Sequence, residues 1–177
     1  MLSAYTILVD EREKRPLVFH SHLPVWDPSS LPCSPSMRTL ALTTASKTLD
    51  TGDYVLQGHE AGTVIERKNS LSELANNLTR PEPRRRFIAE LVRLQPFRRR
   101  ILLLEGTPLS LIEDAAIATR SGRPSQPAPI VRDLLLTVLR DYHVELMVLP
   151  ASTVSHRRAM GEWVAATLIH DSLTAPR

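Results

Sequence analysis

The sequence has 177 residues, of which 42% are hydrophobic, and its formal net charge is +3 with a sequence pI of about 9.4. These values predict one soluble globular domain over residues 1–177, and the single cysteine, Cys33, excludes an internal disulfide and a cysteine-rich zinc or iron–sulfur site. No apolar run reaches the roughly 18 residues of a membrane helix, and the N-terminus does not resemble a signal peptide, so we expect an intracellular protein, cytoplasmic in a prokaryote or phage and nuclear in a eukaryote.

The first part of the chain predicts strands joined by turns and loops. Apolar, β-branched runs indicate the strands, whereas proline, serine and glycine indicate the loops. In chain order the predicted elements are a buried strand Tyr5–Val9, an irregular loop His22–Pro35, a strand Met37–Thr44, a turn Thr51–Asp53, and a hairpin of Tyr54–Gln57 and Thr63–Lys68.

Helices dominate the second part. A helix over Ser70–Asn77 would have Ser70 as its N-cap and Glu73 as the capping-box partner. A second helix is predicted from Pro83, and Pro96 ends it; a strand Arg100–Glu105, a helix Leu109–Ala118 and a flexible basic loop Thr119–Pro129 follow. The next helix has the apolar stripe Val131, Leu134, Leu135, Val138 and Tyr142. A strand Glu145–Leu149 and a C-terminal helix come last, and that helix has the stripe Met160, Trp163, Val164, Thr167 and Leu168. This alternation predicts an α/β fold with a central mixed β-sheet flanked by α-helices. Trp163 at this spacing is predicted to be a core residue.

Much of the basic excess lies in two arginine clusters, Arg84–Arg86 and Arg98–Arg100, and two more arginines, Arg120 and Arg123, lie in the predicted loop. Guanidinium groups bind phosphate through two parallel hydrogen bonds, so clustered arginine favours contact with nucleic acid. A solvated helix end is the alternative interpretation.

Three residues of the predicted hairpin form a candidate catalytic site. Asp53 begins one strand, and Glu66 and Lys68 follow after twelve intervening residues on the next. Residues two apart on a strand share a face, so Glu66 and Lys68 point the same way and the hairpin brings Asp53 beside them. Paired carboxylates beside an ammonium are typical of a Mg²⁺ or Mn²⁺ site, and the metal would polarise a phosphate and activate a water molecule. A solvated surface hairpin is the alternative.

A second group of acids follows the first strand. Asp10 and Glu13 lie at its exit, where either could add a metal ligand. The alternative is an ordinary charged exit from a buried strand.

Three motifs in order resemble the nuclease domain of the XPF-type structure-specific endonucleases. They are Val9-Asp10-Glu11-Arg12-Glu13, Gly52-Asp53-Tyr54 and Ile65-Glu66-Arg67-Lys68, and they match the family patterns V-D-x-R-E, G-D-Y and (V/I)-E-R-K. The resemblance extends from about Tyr5 to Leu149.

The resemblance implies a restriction-endonuclease-like core, dependence on Mg²⁺ or Mn²⁺, and cleavage of DNA at branches or junctions. It implies metal or catalytic roles for Asp10, Glu13, Asp53 and Glu66, and it makes Lys68 the catalytic lysine. Arg12 and Arg67 would be motif arginines that orient carboxylates or touch DNA. Family members commonly pair their nuclease domains, so we expect a homodimer, or a protein partner that supplies DNA docking.

The sequence departs from the family pattern in two places. The acid expected four residues after Lys68 is Ser72, and Glu73 stands one place later. Glu73 either replaces that acid or serves only as the helix cap. In addition, the chain leaves no room for a helix-hairpin-helix module after the nuclease domain.

We expect an active endonuclease on branched, flap or fork DNA because the chain keeps Asp53, Glu66 and Lys68. The alternative is a non-catalytic DNA-binding or partner subunit, although such degraded copies would be expected to lose these residues. A restriction enzyme is a third possibility, and it would require base-reading elements that the sequence does not reveal.

Overall fold

One mixed β-sheet with helices on both faces forms the fold. A computed structural model describes residues 4–26, 36–107, 128–150 and 153–174. The strands are β1 Ala4–Asp10, β2 His22–Trp26, β3 Met37–Lys47, β4 Tyr54–Leu56, β5 Thr63–Lys68, β6 Arg99–Glu105 and β7 Glu145–Leu149, and the helices in these ranges are α1 Leu71–Thr79, α2 Pro81–Arg93, α3 Ala128–Asp141 and α4 Val154–Thr174. Among the described residues, no helix is long and apolar enough to cross a membrane.

The strand directions gather several polar residues at one edge of the sheet. The strand order is β2-β3-β1-β4-β5-β6-β7, with β4 antiparallel to both of its neighbours and β5, β6 and β7 parallel. Strands β1, β5 and β6 therefore run in the same direction and end at the same edge. Their last residues are Asp10, Lys68 and Glu105, and Asp53 precedes β4 at this edge.

Each face of the sheet has its own hydrophobic core. Helices α1, α2 and α3 cover one face, where Leu74, Phe87 and Leu135 pack on Val64 of β5. Helix α4 covers the other face, where Val164 packs among residues that include Ile65. Because side chains alternate along a strand, Glu66 and Lys68 point towards α1 and α2, whereas Arg67 points towards α4.

Several predicted elements differ from those in the structure. The first five residues of the predicted His22–Pro35 loop form edge strand β2, because Leu23 is buried and an edge strand tolerates the proline at position 24. Helix α3 begins at Ala128, inside the predicted loop Thr119–Pro129. The prediction that Trp163 is a core residue is wrong, since 61% of its surface is exposed. The predicted helix Leu109–Ala118, Cys33, Arg120 and Arg123 lie outside the described residues.

Candidate active site

A glycine turn places Asp53 between the first strand and the hairpin. Gly52 has a φ of +76°, and a Cβ atom on it would lie 2.2 Å from Cγ2 of Val64, so a side chain is excluded on both grounds. The N–H of Asp53 donates to the carbonyl of Ile65 at 2.8 Å, and the N–H of Asp10 donates to the carbonyl of Asp53 at 2.9 Å. The backbone of Asp53 therefore links β1 to β5.

The structure brings Asp53, Glu66 and Lys68 together. Nζ of Lys68 donates to Oε1 of Glu66 at 2.8 Å and to Oε2 of Glu90 at 3.1 Å. Oδ2 of Asp53 accepts the N–H of Arg67, the residue between the other two, at 2.7 Å. Glu66 and Lys68 are only 8% and 5% exposed, so these charges interact with little screening by water.

This cluster contains more carboxylate than ammonium. Burial and the nearby charge of Glu66 raise the pKa of Asp53 to about 8. Burial also raises the pKa of Glu66, although Lys68 opposes that shift. Burial alone would lower the pKa of the Lys68 ammonium, but Glu66 and Glu90 together raise it well above its usual range. Three carboxylates thus share one ammonium, and the site favours an additional cation.

The donor set fits a hard divalent cation held by two carboxylates. Mg²⁺ is usually bound through one or two carboxylates, with water molecules and substrate phosphate oxygens as its remaining ligands. Asp53 and Glu66 supply such oxygens in a site where their negative charge is only partly balanced. Within the described ranges, no three His, Cys, Asp or Glu side chains are arranged to enclose a cation on their own.

Asp10 is bound to a neighbouring arginine. Nε of Arg12 lies 3.0 and 2.9 Å from the two carboxylate oxygens, and the Arg12 N–H donates to Oδ1 at 3.1 Å. Burial would raise the pKa of Asp10, but the hydrogen bonds from Arg12 outweigh it and lower this pKa. The Arg12 side chain remains 61% exposed at the rim of the site. Both oxygens of Asp10 are therefore engaged without a metal.

Arg67 organises the carboxylates on the opposite face of the sheet. It forms an ion pair with Glu105, lies 3.3 Å from Glu13, and donates to the carbonyl of Arg15 at 2.7 Å. Because it is only 4% exposed, it has no surface to offer DNA, and of its two expected roles the structure favours the orientation of carboxylates. Glu13 is close enough to raise the pKa of Asp53.

The three sequence motifs include neither Glu90 nor Glu105. Glu90 lies on the buried side of α2 between Phe87 and Leu91, and an acid inside an apolar stripe could have suggested a buried partner. Glu105 ends the apolar strand β6, beside the end of β5, and could have been paired with Arg67 once the strands were aligned.

Glu73, whose role the sequence leaves open, takes part in the N-terminal cap of α1. Oγ of Ser70 accepts the N–H of Glu73 at 3.1 Å, and the Glu73 carboxylate accepts the N–H of Asn69 at 2.9 Å. This reciprocal arrangement resembles a capping box, except that the glutamate reaches one residue beyond the N-cap. Glu73 also contributes to the raised pKa of Glu66, so it lies near the cluster.

The two arginine clusters differ in their environment. In the first cluster, Arg84 donates to the carbonyl of Leu78 at 3.0 Å, whereas Arg85 and Arg86 are exposed. In the second cluster, Arg99 binds Asp171 and Glu145, and Arg100 donates to three backbone carbonyls. Arg99 and Arg100 therefore hold elements of the fold together, and their contact with nucleic acid stays a prediction.

Comparison with known proteins identifies a family and a fold. The family described as the ERCC4 domain matches residues 9–166, a range that includes all three sequence motifs. A structure of XPF from Aeropyrum pernix is 21% identical with a TM-score of 0.55, and the match covers 92% of this chain and 64% of that one. A structure of XPF from Aeropyrum pernix in complex with DNA is 17% identical with a TM-score of 0.58, and the match covers 98% of this chain and 68% of that one.

These structural likenesses confirm the predicted α/β nuclease fold with its mixed sheet and flanking helices. The chain spans about two thirds of the length of the solved structures that it matches. A search of curated proteins gave no match.

Proposed function

Because the chain belongs to the ERCC4 domain family of XPF-type nucleases, we propose that it is a Mg²⁺- or Mn²⁺-dependent DNA endonuclease. Its substrates are branched, flap or fork DNA formed in repair, recombination or replication. The observation that supports this proposal best is the buried cluster of Asp53, Glu66 and Lys68, in which carboxylate charge exceeds ammonium charge. Residues 1–177 act as one nuclease domain.

The residues of the cluster have separate roles in this proposal. Asp53 and Glu66 hold the divalent cation, which when bound supplies a Lewis acid and a water molecule of lowered pKa. The Lys68 ammonium, directed into the cluster by Glu66 at 2.8 Å, orients the attacking water or offsets charge on the phosphate. Glu13 adds negative charge beside Asp53 and is held by Arg67. Since Arg12 engages both oxygens of Asp10, we assign Asp10 to the placement of Arg12 and not to the metal.

DNA contact comes from exposed arginines near the edge of the sheet where β1, β5 and β6 end. Arg12 and the exposed pair Arg85 and Arg86 can reach phosphate, whereas Arg84 is engaged with the end of α1. Arg120 and Arg123 remain predictions outside the described residues. A homodimer or a protein partner would supply further docking. Met160, Val164 and Leu168 of the C-terminal stripe pack on the chain's own sheet, so these three residues do not form the interface.

The test is cleavage of labelled flap, fork, junction and plain duplex DNA, each with Mg²⁺, Mn²⁺ or a chelator. We expect cuts near the branch point that require the metal, and we expect none from the Glu66→Gln variant under the same conditions. If neither metal supports cleavage of any substrate while binding to branched DNA is retained, the non-catalytic subunit is the correct interpretation.

A further inference from the structure

Helix α2 supplies a second carboxylate to the lysine of the active site. Nζ of Lys68 lies 3.1 Å from Oε2 of Glu90, and it lies 5.2 Å from the ring centroid of Phe87 on the same helix. Phe87 and Glu90 are three residues apart and share a helix face. The Lys68 ammonium is thus held from two directions, by Glu66 of its own strand and by α2.

Lys68 needs a second carboxylate because Glu66 has two roles in the proposed function, as the partner of Lys68 and as a ligand of the metal. The Lys68 side chain is only 6% exposed, and a buried ammonium requires a counter-charge. If Glu66 binds a divalent cation, its charge is shared with the metal and stabilises the ammonium less. Glu90 is then the carboxylate that holds the Lys68 ammonium in place, at 3.1 Å.

We propose that Glu90 is a positioning residue that holds the Lys68 ammonium at the reacting phosphate while Glu66 binds the divalent cation. This inference rests on the proposed function, which assigns the metal to Glu66. A purely structural role is less consistent with the contacts. Phe87 and Leu91 already bury α2 with 1% and 0% exposure, and the Glu90 side chain is 32% exposed, so the packing of the helix does not depend on Glu90.

The first measurement separates turnover from substrate binding. In the Glu90→Gln variant we expect kcat on flap DNA to fall by up to about 100-fold, because a small displacement of a reacting group has an effect of this size. KM and the melting temperature should stay near the wild-type values. Glu82→Gln is the matched control, because Glu82 lies on the same helix with a 72% exposed side chain that pairs with Arg85 at 3.1 Å, and its kcat should not change.

A double mutant shows whether Glu90 acts through Lys68. In a Lys68→Met background, Glu90→Gln should cause no further loss of kcat, since residues that act as a unit are not additive. Glu90→Asp keeps the charge but shortens the side chain by one methylene, so it should lose most of the turnover that Glu90→Gln loses. A wild-type rate for Glu90→Asp would show that only the charge matters and would overturn the positioning role.

Binding of Mn²⁺ by the protein without DNA provides a readout that does not depend on activity. Glu90→Gln should weaken Mn²⁺ binding several-fold, because Lys68 then keeps its hold on Glu66. In the Lys68→Met background the same substitution should leave Mn²⁺ affinity unchanged. If Lys68→Met does not fold, Glu90→Asp decides the question, since it should weaken Mn²⁺ binding like Glu90→Gln.

The outcomes separate this inference from the proposed function. Wild-type cleavage together with unchanged kcat and Mn²⁺ affinity in Glu90→Gln would overturn the role of Glu90 and leave the nuclease proposal intact. If the wild-type protein binds Mn²⁺ but cuts no DNA, the nuclease proposal fails and the Mn²⁺ measurements alone decide on Glu90. If it neither cuts DNA nor binds Mn²⁺, both proposals fail.

Discussion

Two partly buried clusters of charged residues lie at opposite ends of strand β5, and they differ in how their charges are balanced. The active-site cluster consists of Asp53, Glu66, Lys68 and Glu90. The anchor cluster consists of Thr63, Arg99, Glu145 and Asp171. In the anchor cluster the Asp171 carboxylate accepts from Oγ1 of Thr63 at 2.6 Å and from Nη1 of Arg99 at 3.0 and 2.8 Å.

The carboxylates of the two clusters titrate in opposite directions. Burial would raise the pKa of Asp171, but the hydrogen bonds from Thr63 and Arg99 outweigh it and lower this pKa. The Asp53 carboxylate instead accepts the backbone N–H of Arg67, and burial and the charge of Glu66 raise its pKa to about 8. A satisfied cluster stabilises the contact between α4 and the sheet, whereas an unsatisfied cluster reduces stability and favours a bound cation. This difference, more than burial alone, distinguishes the candidate site from an ordinary ion pair.

Substitutions in the active-site cluster should have the largest effect on function. Asp53→Asn and Glu66→Gln should reduce cleavage of branched DNA to background, because each removes a ligand of the proposed metal. Lys68→Ala should lower kcat by about 10²–10³-fold, since it removes one group that stabilises developing charge. Circular dichroism and DNA-binding measurements should show a retained fold and retained affinity. Near wild-type cleavage by Glu66→Gln would contradict the assignment.

Breaking the anchor cluster should have the opposite profile. Asp171→Ala leaves Thr63 and part of Arg99 without a partner, so it should lower the free energy of unfolding by about 1–3 kcal/mol. Denaturant unfolding measures this loss. The cleavage rate of the folded variant should stay at the wild-type value, because the cluster lies at the far end of β5. A large fall in kcat with unchanged stability would show that the two ends are not independent.

The pH dependence of stability sharpens the same contrast. The pKa of Asp53 is about 8 in the folded state against a model value of 3.8, so between these values the folded state binds more protons than the unfolded state. Stability therefore falls as the pH rises through this range. In the presence of a chelator, Asp53→Asn should gain stability relative to wild type from pH 5 to pH 8. The difference in melting temperature between Asp53→Asn and the wild-type protein, measured across this pH range, tests the expectation. A difference that does not change with pH would contradict the raised pKa of Asp53.

The sequence predicted the parts of the site that depend on local spacing. The position of Asp53 after a glycine turn, and the shared face of Glu66 and Lys68, follow from a hairpin and the alternation of a strand. The partners of Lys68 and Arg67 come from α2 and β6, at separations of 22 and 38 residues, and only the tertiary packing brings them together. Patterns along one element could not predict these contacts.

The fold shows the same division between local and tertiary effects. Strand β5 was predicted with its observed bounds because it combines an apolar run with clear turns on either side. Strand β2 was missed because its proline indicates a loop, whereas the position at the edge of the sheet tolerates it. The exposure of Trp163 depends on which face of α4 meets the sheet. Because the apolar residues of α4 do not form a single narrow stripe, the sequence does not indicate that face.

A smaller effect is expected at the cap of α1. Ser70→Ala removes the acceptor of the Glu73 N–H and should lower the free energy of unfolding by about 1 kcal/mol. Glu73→Gln keeps an oxygen acceptor for the Asn69 N–H, so its stability should change less, and its cleavage rate reports on the open role of this acid. Retained turnover would assign Glu73 to the cap alone. A marked loss of turnover with an unchanged melting temperature would instead place Glu73 in the missing position of the family motif.

The smallest expected effect is on the salt dependence of DNA affinity, and it should differ between two arginines of α2, Arg84 and Arg86. Arg86 is exposed one turn before Glu90, whereas Arg84 donates to the carbonyl of Leu78. If Arg86 neutralises one phosphate, Arg86→Ala should make the log–log slope of DNA affinity against salt shallower by about 0.9, without a change in sequence preference. Arg84→Ala should lower the melting temperature and leave that slope unchanged, because its guanidinium is already used between α1 and α2. Fluorescence anisotropy across a salt series measures both slopes. Equal slopes for wild type and Arg86→Ala would remove Arg86 from the DNA-binding surface.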